Sequence, residues 1–305
     1  MTTAWIIFSV CILTLLALDL FVFHKKAHVV ALKEAAIWSG VWIGLALVFN
    51  VYVYYLMGRE AAVNFLTGYL IEKTLSVDNL FVFILIFNYF HTPSTSMHKV
   101  LFWGILGAII TRALFIVLGL SLVQAFHPII YLFGLFLIFT GIKLGFQKDK
   151  EIHLEKNWAL RLVQRFLPMT HEYDGDHFWI RKEGRVLFTP LCLVLLVIES
   201  TDIIFAIDSI PAILAITYDP FIVFTSNIFA VLGLRSLFFL LSGSMQLFRF
   251  LHYGISCILV FVGFKMLTSS FWPIPPFAAL GVIAIILTVT ILASILIKIN
   301  PNKEN

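Results

Sequence analysis

Acidic residues recur at the same spacing in two apolar stretches, Glu72-Lys-Thr-Leu-Ser-Val-Asp78-Asn-Leu-Phe and Asp202-Ile-Ile-Phe-Ala-Ile-Asp208-Ser-Ile-Pro, which begin 130 positions apart. Each stretch is too apolar for a soluble surface. A charged side chain inside a membrane costs about 2.5 to 3.5 kcal/mol on insertion scales. A chain that keeps several such residues is expected to use them, and a buried cation pathway is the use that carboxylates favour.

The composition of the chain is that of a polytopic membrane protein. Of its 305 residues, 61% are hydrophobic and 12% are charged, whereas ordinary globular domains carry roughly 25% charged residues. The formal net charge of +4 comes from basic residues in short loops, where they set membrane topology, so we expect no nucleic-acid partner. The three cysteines lie in apolar segments without paired spacing, which argues against a disulfide framework or a zinc site.

Nine apolar runs are long enough to cross a bilayer, which takes about 17 to 25 residues. The first run has no basic segment and no small-x-small cleavage site before Lys25, so we interpret it as a retained span. We therefore predict an all-α polytopic membrane protein with about nine transmembrane helices, near residues 4–23, 35–56, 62–90, 100–121, 128–147, 188–215, 220–241, 250–270 and 277–298.

Basic residues lie almost entirely on one side of this predicted membrane. Fifteen lysines and arginines fall on that side and only Arg59 on the other, while five lie within spans. Because basic loops face the cytosol, we predict that the N-terminus lies outside and the C-terminus in the cytosol. The most basic segment, 148–187, is then a cytosolic loop, and its sequence His171-Glu-Tyr-Asp-Gly-Asp-His177 is interpreted as a solvated turn in preference to a metal site.

The similarity of the two acidic stretches extends into an internal repeat. Gly-Ala-Ile-Ile-Thr-Arg112-Ala-Leu-Phe resembles Ala-Val-Leu-Gly-Leu-Arg235-Ser-Leu-Phe, and Phe-Thr-Gly-Ile-Lys143 parallels Val-Gly-Phe-Lys265. Each unit has three spans, an odd number, so the second unit must cross the membrane in the opposite sense, as in many secondary transporters. The predicted organisation is an N-terminal two-helix segment (1–60), a first repeat (61–147), the loop (148–187), a second repeat (188–270) and a C-terminal helix with its tail (271–305).

The candidate metal ligands or proton carriers are five carboxylates, supported by two amides: Glu72, Asp78, Glu199, Asp202, Asp208, Asn79 and Asn227. At about 100° per residue, Glu199 and Asp202 share a helix face, so both can approach one ion. Glu72 and Asp78 are rotated by about 120° and are expected to serve different sites. Oxygen ligands without a Cys or Met cluster favour Mg, Ca or Mn over copper or zinc.

A helix break is predicted at Pro211, whose missing N–H leaves the carbonyl of Ile207 free to act as a further ligand. Two alternatives stay open for the acids. They could form intramembrane ion pairs, such as Asp78 with Arg112 and Asp208 with Arg235. They could also carry protons, because desolvation favours the protonated carboxylate and a bound cation favours the ionised one, so that metal and proton compete.

Three stretches of the chain resemble the TerC family, in particular its Alx-type branch. They are Glu199-Ser-Thr-Asp-Ile-Ile-Phe-Ala-Ile-Asp-Ser-Ile-Pro-Ala212, Asp219-Pro-Phe-Ile-Val-Phe-Thr-Ser-Asn227 and Glu72-Lys-Thr-Leu-Ser-Val-Asp-Asn79. The resemblance covers nearly the whole chain. It implies a bacterial inner-membrane protein of the LysE-like transporter superfamily, linked to manganese export and, by older naming, to tellurium resistance, in which the acids of both motifs serve the cation.

The repeat, the acids and the resemblance together predict a secondary transporter that exports a hard divalent cation, with Mn²⁺ as the expected cargo and no permanently bound cofactor. The chain has no P-loop, so we expect an ion gradient, with protons as the coupled ion, to drive transport. The alternative is a membrane partner that assembles or metallates envelope proteins under metal or tellurite stress, with the 148–187 loop as docking surface. An enzyme is disfavoured, because no nucleophile and base pair stands out; association with a second copy or other membrane proteins is left open.

Overall fold

The protein is described by a computed structural model that covers residues 2–23, 31–146, 168–170, 172–182, 184–243 and 250–296. Within these residues there are ten α-helices and one two-stranded hairpin. The helices are α1 (Thr2–Phe23), α2 (Leu32–Met57), α3 (Arg59–Tyr89), α4 (Ser94–Ala125), α5 (Ile129–Phe146), α6 (Pro190–Leu214), α7 (Pro220–Leu232), α8 (Leu234–Ser242), α9 (Leu251–Thr268) and α10 (Pro276–Leu296), and the strands are β1 (Trp179–Lys182) and β2 (Arg185–Phe188).

The predicted all-α polytopic membrane fold is confirmed. Each of the nine predicted spans overlaps one helix or, for 220–241, the pair α7 and α8. In the described part of the chain, six helices are long and apolar enough to cross a membrane, and the bent pair would add a seventh as one span. The described apolar part of α1 is shorter, and α3 carries five charged residues, so the count of nine spans stays a prediction.

A sharp bend interrupts the seventh predicted span instead of the sixth. α6 continues through Pro211 to Leu214, because a proline in the last turn removes only one backbone hydrogen bond. The predicted break at Pro211 is therefore wrong. The bend of 43° falls between α7 and α8, at Gly233, one of the residue types at which helices kink.

Helix α3 lies at the centre of the bundle and so brings its acidic residues inside. It packs against α2 and against each of α6 to α10. Its buried side chains run along nearly its whole length, from Ala62 to Phe87, and include Glu72 and Asn79. Helices at the periphery present large apolar side chains outward, such as Val48 of α2 and Leu296 of α10, as expected of a surface that meets lipid.

Helices α5 and α9 pack closely through small residues. The carbonyl of Gly134 lies so near Gly263 that a Cβ added there would be 2.6 Å from it. Near the other end of the contact, the hydroxyl of Ser256 donates to the carbonyl of Gly141 at 2.6 Å. Small residues allow backbones to approach in membrane helix pairs. The two Gly-x-Lys segments that mark the repeat thus lie on neighbouring helices.

The described part of the basic loop folds onto the turn between α3 and α4. It forms an antiparallel hairpin, which the sequence interpretation as a plain loop missed. Tyr173 donates to the carbonyl of Phe90 at 2.8 Å, and Ser96 donates to the carbonyl of Gly175 at 3.1 Å. Lys99 pairs with Asp176 at 3.5 Å. The loop is therefore held at the end of the helix bundle.

The acidic segment of the loop forms a turn at residues 172–177. The side chains of Asp174 and His177 are both about two-thirds exposed and lie 3.8 Å apart. Gly175 between them has a φ of +55°, in the left-handed region that glycine favours. His171 lies outside the described residues. The exposure agrees with the solvated-turn interpretation.

Replacement of Tyr173 by Phe is expected to loosen this loop. Burial raises the pKa of the Tyr173 hydroxyl, and the hydrogen bond with Thr92 opposes that shift, so the hydroxyl remains a donor at neutral pH. Its loss should cost about 0.5 to 1.5 kcal/mol locally. Hydrogen exchange of residues 172–182 should become faster than in the control Tyr55→Phe, whose side chain is 82% exposed. Equal exchange in the two variants would contradict the assigned contact.

Candidate cation site

Arg112 of α4 holds two carboxylates together inside the bundle. Its side chain is fully buried and forms ion pairs with Glu72 of α3 and with Asp202 of α6. The contact from Nη2 to Asp202 Oδ1 is 3.3 Å. Residues from both acidic motifs therefore meet at one arginine. The ion-pair interpretation named Asp78 as the partner, but the structure places Glu72 and Asp202 at Arg112.

This Arg112 cluster, defined as Glu72, Arg112 and Asp202, contains more negative than positive charge. Glu72 is 1% exposed and Asp202 is 3% exposed. Among the described residues, Glu72 Oε2 and Asp202 Oδ2 accept no hydrogen bond. Buried carboxylate oxygens without donors are costly, so the cluster favours a further positive partner such as a proton or a cation.

Glu199 lies one turn before Asp202 but contacts a different residue of α4, Gly107 instead of Arg112. Its carboxylate contacts the backbone at Gly107, where an added Cβ would overlap it. The glycine therefore makes room for this half-buried acid. The predicted pair of Glu199 and Asp202 is close in space, yet Asp202 already has Arg112 as a partner.

A cavity of about 350 Å³ collects the remaining motif acids. Asp78 and Asn79 reach it from α3, Thr201 and Asp208 from α6, and Thr140 and Lys143 from α5. Apolar side chains of α9, including Leu259, complete the wall. We call this space, with Asp78 and Asp208 as its carboxylates, the acid cavity.

The walls of the acid cavity follow one face of each main helix. On α3 the lining residues are Leu75, Asp78, Asn79 and Val82, and on α6 they are Thr201, Ile204, Phe205 and Asp208. Both sets follow the spacing i, i+3, i+4 and i+7, which is one side of an α-helix. This shared spacing was the sequence signal that could have assigned Asp78 and Asp208 to one site.

Asn227 of α7 is not among the residues that line the acid cavity. Its side chain is fully buried, and neither its amide nitrogen nor its amide oxygen has a hydrogen-bond partner among the described residues. The seven predicted ligands are therefore divided between the Arg112 cluster, the acid cavity, Gly107 and α7. In the part of the chain that the structure describes, no three His, Cys, Asp or Glu side chains are grouped to hold a metal ion.

Three lysines within predicted spans have separate roles that the sequence reasoning did not assign. Lys73 donates to the carbonyl of Ala230 at 3.2 Å, and Lys265 donates to the carbonyl of Ala215 at 2.6 Å. Lys143 instead lines the acid cavity together with Asp208. The Gly-x-Lys repeat marked two of these lysines but not their partners.

Comparison with known proteins shows extensive similarity. The model of the family described as "Integral membrane protein TerC family" matches residues 57–302. An "Uncharacterized membrane protein STKORF319" of Myxococcus xanthus is 52% identical over 292 residues, which is 96% of this chain and 92% of that protein. No solved structure matches the chain.

Two further relatives share a name. The "Putative membrane-bound redox modulator Alx" of Salmonella typhi is 45% identical, over 94% of this chain and 92% of the relative. The protein of the same name in Escherichia coli strain K12 is 44% identical, over 98% of this chain and 96% of the relative. The similarity therefore extends over almost the entire length of these proteins.

Proposed function

Because this chain is an integral membrane protein that belongs to the TerC family, we propose that it is a secondary transporter that exports a hard divalent cation, Mn²⁺ first among them, from the cytosol. The observation that carries the proposal is the acid cavity. There, two carboxylates from different helices face one space together with an amide and hydroxyl groups. Such oxygen ligands suit Mg²⁺, Ca²⁺ and Mn²⁺.

The position of the two cavity acids supports a cation pathway over a purely structural role. Asp78 and Asp208 are half-buried, so they are neither sealed in the core nor free in bulk solvent. Keeping both charged within a predicted span is costly. A cation that enters from solvent and binds between them would offset part of that cost while it is bound.

The coupled ion in this proposal is the proton. The chain has no nucleotide-binding motif of the P-loop type, so the energy would come from an ion gradient. The Arg112 cluster supports this part of the proposal, because its surplus carboxylate would be neutralised by one proton. Glu199 and the amides of Asn79 and Asn227 are proposed as supporting ligands along the path.

The proposed location is the bacterial inner membrane, with the N-terminus outside and the C-terminus in the cytosol. The strong bias of basic residues to one side supports that orientation. Two relatives, at 45 and 44% identity, carry a name that refers to redox modulation. A transported redox-active metal would connect such a role to the acid cavity without a cysteine pair, since the described cysteines are all free.

A membrane assembly or metallation partner is the second candidate, favoured by one observation. The basic loop is docked on the bundle, yet its hairpin leaves Trp179 62% exposed beside the exposed basic residues Arg181, Lys182 and Arg185. Such a surface can receive another protein. A loop-deleted protein that still moves metal in liposomes would show that docking is not needed for the activity.

Loss of either cavity carboxylate is expected to slow transport strongly. Asp208→Asn and Asp78→Asn keep the side-chain shape but remove a charge, which should lower Mn²⁺ flux into or out of proteoliposomes by at least about tenfold. The matched control is Asp174→Asn, at an exposed loop acid, which should retain flux. The assay compares folded proteins reconstituted at equal density.

Three outcomes separate the parts of this proposal. Equal flux in the cavity variants and wild type would remove the acid cavity from the pathway. Unchanged flux after the pH gradient is collapsed would remove proton coupling. No flux in folded wild type, under both gradient polarities, would favour the assembly partner.

A further inference from the structure

The two carboxylates of the acid cavity are counterparts of each other in the internal repeat. The offset of 130 positions between the two acidic motifs relates Asp78 to Asp208, and the same offset relates Leu75 to Phe205. All four residues line the acid cavity. In an inverted repeat, a residue and its counterpart share one place only near the pseudo-two-fold axis that relates the two units. The two acids therefore lie close to that axis.

The contact between α5 and α9 follows the same two-fold relation. With the offset of 122 positions between the Gly-x-Lys segments, Gly134 corresponds to Ser256. In the same way, Gly141 corresponds to Gly263. A Cβ added at Gly134 would lie 3.0 Å from the carbonyl oxygen of Gly263, and one added at Gly141 would lie 3.0 Å from that of Ser256. Exchange of the two helices turns one contact into the other, so the axis also passes between them.

The rest of the cavity wall lies at one end of the bundle. It includes Lys143 and Leu144 in the last turn of α5, together with Ile255 and Leu259 in the first half of α9. The contacts between the two helices run in opposite chain directions, so the end of α5 lies beside the start of α9. In the predicted topology this end of the bundle faces the cytosol.

The counterparts of these wall residues lie at the opposite end of α5 and α9 and are buried. Leu259 corresponds to Leu137, which is 0% exposed, and Leu144 corresponds to Met266, which is 2% exposed. Leu144 itself is half-buried. A cavity therefore reaches the carboxylates from one end of the bundle, while packed side chains occupy the corresponding positions at the other end.

A hydrogen bond holds the buried end together. Lys143 is exposed, but its counterpart Lys265 donates to the carbonyl of Ala215 at 2.6 Å, just beyond the end of α6. This bond ties α9 to α6. The two lysines of the repeat thus have different surroundings, and the difference follows the same division between a lined cavity and a packed end.

We propose that the chain exchanges between this state and a second state in which the two repeat units trade arrangements. In the second state, a cavity lined by Leu137, Lys265 and Met266 reaches Asp78 and Asp208 from the opposite face of the membrane. What one unit adopts is available to its counterpart, because related units rock against each other around a fixed site. The inference rests on the proposed function, to which it adds the path by which the cation leaves.

The test uses a matched pair of leucines, Leu259→Cys and Leu137→Cys. A small membrane-impermeant methanethiosulfonate reagent is applied to either face, in spheroplasts or in inverted membrane vesicles, and labelling is followed by mass spectrometry. Leu259→Cys should react from one face and Leu137→Cys from the other. Leu80→Cys is the control, because Leu80 is fully buried and is not among the residues that line the acid cavity. The background chain carries alanine in place of Cys11, Cys192 and Cys257.

A second pair of reporters decides the matter if a leucine variant fails to fold. Leu144→Cys should behave as Leu259→Cys, and Met266→Cys should behave as Leu137→Cys. The proposal is overturned if Met266→Cys and Leu137→Cys react from the same face as their counterparts. It is equally overturned if both react no faster than Leu80→Cys from either face.

Removal of the Lys265 hydrogen bond should shift the balance between the two states. Lys265→Met should speed labelling of Leu137→Cys by about tenfold, since a hydrogen bond from a charged group present in one state only is lost. It should also slow labelling of Leu259→Cys, whereas simple loosening of the helices would speed both. Lys265→Arg keeps a donor for the carbonyl and should stay close to wild type. Faster labelling of both reporters would contradict the assigned role of Lys265.

This experiment separates the exchange of states from the nature of the cargo. The labelling needs no transported ion, so access from both faces supports the two states even in a chain that carries no Mn²⁺. Mn²⁺ flux in a folded chain whose buried counterparts never react would leave the proposed cargo in place and remove the exchange.

Discussion

Replacing Arg112 with methionine is expected to destabilise the protein by about 3 to 5 kcal/mol, because removal of one partner from a buried ionic group leaves uncompensated charge. Two carboxylates would remain, those of Glu72 and Asp202, both almost completely buried. The described residues offer no hydrogen-bond donor to Glu72 Oε2 or Asp202 Oδ2, so water or protons would have to enter the core. Loss of folded protein as sodium dodecyl sulfate is added to detergent-solubilised samples measures the effect.

A charge-free version of the same cluster is the control. Arg112→Met combined with Glu72→Gln and Asp202→Asn leaves neither a buried cation nor a buried anion. Since replacing a whole buried ionic group is often neutral, this triple variant should recover most of the lost stability. If the triple variant is as unstable as Arg112→Met alone, the loss comes from packing of the arginine stem and the electrostatic explanation is wrong.

Replacing Gly263 with alanine is expected to force α5 and α9 apart. The new Cβ would lie 2.6 Å from the carbonyl oxygen of Gly134 and 3.0 Å from the backbone nitrogen of Ile138. Backbone atoms inside a helix cannot move aside as a side-chain end can. Overpacking of this kind costs about 1 to 3 kcal/mol, occasionally more, and the same detergent titration should detect it.

Gly281 of α10 supplies the matched control for this substitution. A Cβ added there meets nothing within 4 Å, so Gly281→Ala should leave stability unchanged or raise it by up to about 0.5 to 1 kcal/mol through helix propensity. Because Leu259 of α9 lines the acid cavity, Gly263→Ala should also lower Mn²⁺ flux. Equal stability of the two alanine variants would show that the helices can separate at no cost.

Most of the fold can be predicted from the sequence, because a membrane helix is recognised from the hydrophobicity of one continuous segment of the chain. Apolar runs of membrane length place the helices, and the overlap with predicted spans is nearly complete. The break at Gly233 was missed because Pro211 has the stronger intrinsic effect, yet α6 ends within one turn of it. The hairpin at 179–188 was missed because four-residue strands in a charged loop carry too little alternation to be recognised.

The sequence names the candidate residues but does not show which of them lie together. The rotation of about 120° between Glu72 and Asp78 agrees with their positions, since Glu72 lies at Arg112 and Asp78 lines the acid cavity. The partners depend on helices far apart in sequence: Arg112 lies 90 positions before Asp202. Helical spacing within one segment cannot reveal which neighbouring helix supplies the positively charged side chain. For the same reason the sequence identified Lys143 as part of the internal repeat but not as a residue that lines the acid cavity.

The ammonium of Lys73, on α3, occupies the bend between α7 and α8 and makes that bend independent of ions in solution. Gly233 leaves the space that the Lys73 ammonium occupies, since a Cβ there would lie 2.8 Å from Nζ. A helix interrupted inside a membrane exposes carbonyl groups that a dissolved ion would otherwise have to satisfy. Here the cation is the ammonium of Lys73, which is part of the chain and cannot exchange with ions in solution. The bend should therefore be indifferent to an exchange of sodium for potassium or for a large organic cation.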